Sequence, residues 1–510
     1  MKKMNLLVMS LVSAAALSFS SCSSNDDLTG GAGTQSQVKG FYMTLAVQTP
    51  TSNETRTSIE NPIPTEDATA VEAAVKNGTF YLVDEKGSVV FSKTLTGQDW
   101  SGAINNPATA AKDGKTTLKI EVENVAAGAT YKVYFKAGST NMDTVEPLTI
   151  KTGTSQTGVF TATGITQTFT STGAFAKPCA VDNDFSMFNQ NDATTNGNGY
   201  TVEFTNQNKE GAKDFKPAEV KYDGKTAPIK IERVTARVDV PTSASTLTTE
   251  PLPADASAAL KKAVEDAKNK VTKIELVQYA LSNVTNKTYV MQNWNVANSV
   301  WSLAIPTDAT LSQTKDDFGS KYLLKDSCFK ALTGATNDYI FENNKAGEEA
   351  TAMYFQYHVT LKTSEFEGTA DFDDGTFYRY NNVIYTSFAQ IYKAYADVAG
   401  LFEGKTAKEM KTAAKTASAN ETDLAAFREK YQIEVFKGGM TYYKQVITDK
   451  QLGKDVIQRN TIYRLNVNKI FNVGAQVPNG EIDKNGLFYL DVTVTVNPWV
   501  LNTQNVELGD

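Results

Sequence analysis

Apolar and polar residues alternate in short bursts along most of this chain, with a period of two. In LDVTVTV, Val492, Val494 and Val496 fall on one side of an extended strand and Thr493 and Thr495 on the other, the pattern of a half-buried β-strand. FYMTLAV repeats it near the start, with Phe41, Met43, Leu45 and Val47 on one face. Between about 78 and 240 the runs GTFYLVD, SVVFSKTL, TTLKIEVENV, TYKVYFKAG, GYTVEFTN and IKIERVTARVDV are separated by Gly, Asn, Asp and Ser, which predicts an all-β sandwich or barrel. The Pro/Ser/Thr-rich PTSASTLTTEPLPAD after Val240 marks a domain boundary, giving domains 57–240 and 241–510. The second opens with a helix, predicted by Leu260, Val264, Ala267 and Val271 behind a cap at Asp255, followed by KIELVQYALSN and KTYVMQNW as a strand pair. From Phe388 to Tyr431, Ala, Lys and Glu at helical spacing predict a helical insertion at the surface of a β-domain.

The first residues follow a different rule. Lys2 and Lys3 precede an apolar stretch from Leu6 to Leu17, and Phe19-Ser20-Ser21-Cys22 follows it. A basic start, a short apolar core and small residues before a cut describe a secretory signal over 1–21, too short to span a bilayer. A cysteine at that position reads as a lipobox, with Cys22 acylated and first in the mature chain; two or three acyl chains hold a protein firmly to a membrane. SSNDDLTGGAGTQSQ behind it has too little apolar content to order itself and reads as a tether.

Composition narrows the chemistry. At 510 residues and 41% hydrophobic, the chain can fill two cores. Its net charge of −7 supplies no basic field for a phosphate backbone, so nucleic acid is not an expected partner. The single histidine, His358, sits in the strand-like MYFQYHVTL and reads as a strand residue; one imidazole removes most zinc sites and His-dependent triads. No phosphate loop, zinc-spaced Cys pair or nucleophile elbow occurs, and Asp371, Asp373, Asp374 and Gly375 read as an exposed turn, lacking the later acidic ligand of a calcium loop. Cys179 and Cys328 are expected as buried free thiols. No cofactor, metal or catalytic site is expected.

Gly438-Gly439, Tyr442-Tyr443, Arg459-Asn460, Tyr463 and Pro498-Trp499, in that order around the valine strand, resemble the C-terminal domain of the major fimbrial subunits of Bacteroidetes, the fimbrillins of the Mfa1 family. FSMFNQ, Phe185 to Gln190, and IERVTARVDV, Ile231 to Val240, resemble two signatures of their N-terminal domain. The resemblance implies a mainly β chain of two transthyretin-like β-sandwich domains, with helical insertions in the second, serving as the stalk subunit of a surface fimbria. It implies export as an outer-membrane lipoprotein precursor and cleavage by an Arg-specific protease. Arg56 is the only arginine before Arg233, so the expected cut lies between Arg56 and Thr57 and ends a lipidated leader, 22–56. That cut releases the strand of Phe41, Met43, Leu45 and Val47, and a C-terminal tail of the next identical subunit, with Val500, Leu501, Val506 and Leu508, replaces it. Accessory anchor and tip subunits complete the expected partners. An anchor or tip role, or a surface glycan-binding lipoprotein using Trp100, Trp294, Trp301 and Trp499, are the alternatives; a hydrolase would need a carboxylate pair that nothing in the sequence indicates.

Overall fold

The computed structural model describes residues 40–501 apart from 49–65, 74, 76, 97–114, 140–167, 172–174, 183, 192–198, 253, 298–299, 450–451 and 480–489. Cys22, Arg56, Thr57, Val506 and Leu508 lie outside the described residues.

The alternating runs fold into two main apolar cores. The first draws on residues 43–231, including Met43, Leu45, Phe80, Val133, Phe135 and Ile229, with Ile462 reaching into it. Its sheet runs Ala218–Glu219, Phe41–Gln48, Ile229–Arg233, Met187–Asn189, Thr130–Ala137, Tyr200–Glu203, Lys221–Tyr222, Lys225–Thr226. Gly78–Val83 joins this path at Thr130–Ala137 and carries Val89–Leu95, while Lys115–Val122 joins it at the first strand.

The second core spans Ala236 to Val473 and is a sandwich. One layer orders Lys330–Ala331, Val271–Ser282, Ala352–Leu361 and Met440–Val446. The other orders Glu66–Ala68, Leu490–Leu501, Thr461–Ile470, Ala236–Val238 and Asp338–Ile340. Tyr279, Phe355 and Tyr357 from the first layer share a cluster with Val238, Tyr463 and Leu465 from the second. The valine strand is present as a strand: Val492, Val494 and Val496 stand in register with Val467, Leu465 and Tyr463, and those three partners are buried. The chain is mainly β, as its periodicity predicted.

Two local expectations need correction. The helix is Ala258–Lys270, and its cap is Ser257, not Asp255, because the Ser257 side chain accepts from the Leu260 amide three residues on. Val271 starts the next strand; β-branched and in extended backbone, it follows the lysines that close the helix. Nor do the next two strands pair with each other. The chain turns at Asn283, φ 56°, and Val271–Ser282 takes Ala352–Leu361 and Lys330–Ala331 as partners, whereas Lys287–Tyr289 pairs back to Thr168–Thr170.

The helical insertion comprises Phe388–Ala394, Ala407–Ala417 and Glu421–Tyr431, packed around a core of its own that includes Phe388, Ile391, Met410, Leu424 and Phe427. Asp374 serves its turn, its carboxylate accepting from the Thr376 amide, whereas Asp371 is not an exposed turn residue: its carboxylate accepts from the Phe388 amide at the start of the helix Phe388–Ala394. Cys179 and Cys328 are free and buried, and burial pushes the Cys179 thiol up to about 12. His358 is half-buried within Ala352–Leu361.

Gly438 and Gly439 both carry positive φ, 55° and 71°, just before Met440–Val446. A Cβ on Gly439 would lie 2.9 Å from the Val359 carbonyl oxygen, so this turn requires glycine on steric as well as dihedral grounds. Gly439→Ala is expected to cost about 1–3 kcal/mol, read as a lower urea midpoint with unchanged slope.

Candidate functional site: the first strand and the root of the tail

FYMTLAVQ places its apolar residues at every second position, and the strand buries that side. Met43 and Leu45 have no exposed surface and Val47 has 2%, while Phe41 is half-buried against the same core, with its ring 5.6 Å from Phe204. On the opposite side, Tyr42 lies under the Lys119 ammonium at 4.5 Å, beside Phe215, and donates to Glu210. These side chains define the faces expected from the sequence.

The strand has ladder partners on both edges. Antiparallel to it, Lys115–Val122 pairs over its whole length, from Phe41 with Val122 to Gln48 with Lys115. On its other edge it runs parallel to Ala218–Glu219 at Met43 and Thr44, then to Ile229–Arg233 at Val47 and Gln48. Among the described residues, Lys115–Val122 has no ladder except the one with the first strand. Burying Met43, Leu45 and Val47 is worth about 5–8 kcal/mol, so this strand helps to close the first core.

Downstream, the chain is fastened. Leu490–Leu501 pairs antiparallel with Thr461–Ile470 as far as Pro498, then continues as Trp499, Val500 and Leu501 parallel to Glu66, Asp67 and Ala68. Val500 and Leu501 thus stand at the root of the tail, laddered to this chain's own short strand.

Just beyond that short strand, Glu72 is buried in the helix Ala70–Ala73. Its carboxylate accepts from Arg237 Nη1 at 3.1 and 3.2 Å, from Tyr339 at 2.7 Å and from the Thr69 amide at 2.8 Å. Its carbonyl accepts from Arg233 Nε, and Arg233 Nη1 also donates to Asn460. Asp239 continues the chain of charges, bound by Arg237 and Arg464. Burial alone would push the Glu72 carboxyl up; the Tyr339 and Thr69 hydrogen bonds and the Arg237 charge outweigh it and hold the group below its ordinary value. Burial pulls the Arg233 guanidinium down to about 10, still charged at neutral pH.

The motif residues that carried the resemblance are structural. Arg459 and Glu342 form an ion pair at 2.8 Å with neither side chain exposed, Tyr463 bonds Asp449 and the Gln458 amide, and Tyr442 accepts from Gln356. Glu72, Asp239 and Tyr339 were not singled out by sequence reasoning, because local sequence around an acid carries no sign of the arginine that Glu72 meets more than 160 residues later. Trp100 lies outside the described residues; Trp294 is buried against solvent. No group of three or more His, Cys, Asp or Glu suited to a metal occurs among the described residues.

Residues 434–505, which hold the Arg459-Asn460 pair, Tyr463 and the valine strand, match the family profile described as major fimbrial subunit protein type IV, fimbrillin, C-terminal. The end of the chain is therefore similar to a fimbrillin C-terminal domain over these residues. Solved structures similar to it include a fimbrillin, FimA, from Porphyromonas gingivalis W83, 12% identical over 91% of this chain and 99% of that one, with a TM-score of 0.42. They also include the C-terminally truncated tip fimbrial protein Mfa3 from Porphyromonas gingivalis, 11% identical over 90% and 99%, TM-score 0.29, and its fimbrial anchor protein Mfa2, 10% identical over 90% and 99%, TM-score 0.26. Among curated proteins none matches the chain.

Leu45→Ala is expected to destabilise the full chain by about 3 kcal/mol in urea unfolding. Glu72→Gln is expected to cost about 3 kcal/mol at neutral pH, because it leaves a buried cation short of its counter-charge. Since the folded Glu72 value is depressed, its contribution is complete above about pH 4.3 and is lost as pH falls through the folded value; stability curves of wild type and Glu72→Gln should converge in acid.

Proposed function

We propose that the chain is the stalk subunit of a surface fimbria, exported as an outer-membrane lipoprotein precursor on Cys22 and cut between Arg56 and Thr57. Joining is head to tail by donor-strand exchange, and the role is structural rather than catalytic. The observation that carries the reading is the first strand: laddered on both edges, apolar on its core side, and placed ahead of Arg56 on the chain. A cut after Arg56 separates Phe41–Gln48 covalently from everything that follows. Its departure opens an apolar groove between Lys115–Val122 and the Ala218–Glu219 and Ile229–Arg233 strands, with unpaired backbone on both sides. Such edges favour pairing with another chain.

The donor is the tail beyond its fastened root, with Val506 and Leu508 supplying apolar residues of one parity and Val500 and Leu501 fixing where it leaves the subunit. Using two different surfaces for giving and receiving makes an open filament, because nothing in such a contact closes a ring. Possession of both Arg56 and a tail with apolar residues beyond Leu501 favours the stalk over an anchor or tip. The partners are then identical subunits, an Arg-specific protease, and accessory anchor and tip subunits.

In cells, Arg56→Ala is expected to accumulate as lipidated precursor without fibres, and removal of residues 502–510 to give processed subunits that do not extend a filament. Fibre preparations and SDS-resistant ladders read both outcomes. Normal fibres from Arg56→Ala would sink the cleavage assignment, and normal fibres from the truncated chain would sink the donor assignment.

A further inference from the structure

Seven arginines stand against forty-three lysines in this sequence, and six of the seven lie among the described residues. All six are taken into the fold. Arg233 and Arg428 have no exposed surface, Arg379 and Arg459 have 2%, and Arg237 has 5%. Arg464 is one-third exposed, but its guanidinium is held on Asp239 through Nε at 2.9 Å and Nη2 at 2.5 Å. The others bind carboxylates or backbone carbonyls: Arg379 takes Glu434 with the Val473 and Gly474 carbonyls, and Arg428 takes the carbonyls of Tyr322 and Val435. Lysines are distributed differently, and Lys213, Lys216, Lys261, Lys345 and Lys408 stand exposed.

A planar fork that satisfies several oxygens at once explains why arginine suits the interior. It does not explain why the surface uses lysine and leaves arginine out. A protease that selects arginine must draw that side chain into its own pocket and hold the flanking backbone extended. For Arg233, Arg237, Arg379 and Arg464 this means breaking a β-ladder, for Arg428 unwinding the helix Glu421–Tyr431, and for Arg459 also separating the buried pair with Glu342.

We propose that this partition of cations is the specificity device of processing: with every other arginine withdrawn, an Arg-specific protease can cut the folded chain after Arg56 alone. The proposal rests on the processing reading above and adds what protects the rest of the subunit. A protease that must act on every precursor then shares the cell surface with finished subunits without degrading them.

The test is to treat the folded full-length chain, with Cys22→Ser to prevent acylation, with an Arg-specific endoprotease and in parallel with a Lys-specific one. Each digestion is run in native buffer and in urea, and the cut bonds are assigned by mass spectrometry. The expected native Arg-specific result is one cut, after Arg56, with the six others at least about a hundredfold slower than in urea. The Lys-specific enzyme is expected to cut several described lysines in the native chain. Lys345→Arg, which puts an arginine on an exposed loop, is expected to add a second native Arg-specific cut. Native cleavage after any of the six at a rate within about tenfold of the unfolded chain overturns the proposal. So does a native chain that resists the Lys-specific enzyme equally, or an uncut Lys345→Arg, because general rigidity would then be the cause. Six silent arginines with Arg56 also uncut would support the shielding and overturn the processing reading, so the two fail separately.

Discussion

The interaction on which the rest of the molecule depends is the buried carboxylate of Glu72 and the guanidinium of Arg237. Four separate stretches meet at that contact: the short helix Ala70–Ala73, the crossing segment Arg233 to Asp239, Tyr339, and Asn460 with Arg464. None of these groups tolerates burial alone, since an uncompensated charge in low dielectric is costly. Together they fix where the first core ends and the second begins, because Arg233 closes one sheet while Arg237 lies in another. Directional contacts of this kind set geometry in a way that apolar packing, which tolerates slippage, does not.

The hub also sorts the N-terminal region into two classes of residue. Glu66–Ala68 and Glu72 are tied in, through the ladder with Trp499 to Leu501 and through Arg237. The strand Phe41–Gln48 belongs to the first core but takes no part in the hub: its core side contributes apolar burial and ladder hydrogen bonds, and its charged contacts are the peripheral ones of Tyr42 with Glu210 and Lys119. Apolar burial and ladder bonds can both be supplied by another segment of suitable pattern. Buried charged contacts hold the fixed parts, and mainly apolar packing and ladder bonds hold the part proposed to be exchanged.

Much of this was legible in the chain. Period-two alternation located the first strand with its buried face, and the valine strand as a strand, since burial on one side of a sheet imposes that pattern directly. The glycine pair was legible through the resemblance, and its physical reason is the positive φ of both residues and the lack of room for a Cβ at Gly439. Pairing was not, and the strands after Ser257 were joined to the wrong partners because hydrophobic pattern says which face is buried but not which strand lies alongside. Glu72 was invisible for a related reason. Its partner is set by topology: the flanking Val71, Ala73 and Val75 are apolar but do not name the arginine that the acid meets.

The strand Lys115–Val122 has one further implication. Its ladder with Phe41–Gln48 is the only one it makes among the described residues, so a subunit deprived of the first strand would have a receiving site with one firm wall and one loose one. Such a site is short-lived as well as sticky: left waiting, the loose wall could fold inward or find the wrong neighbour. Growth by this route would therefore be limited by how promptly the next tail arrives, making a filament's length a record of how closely cutting and joining keep pace.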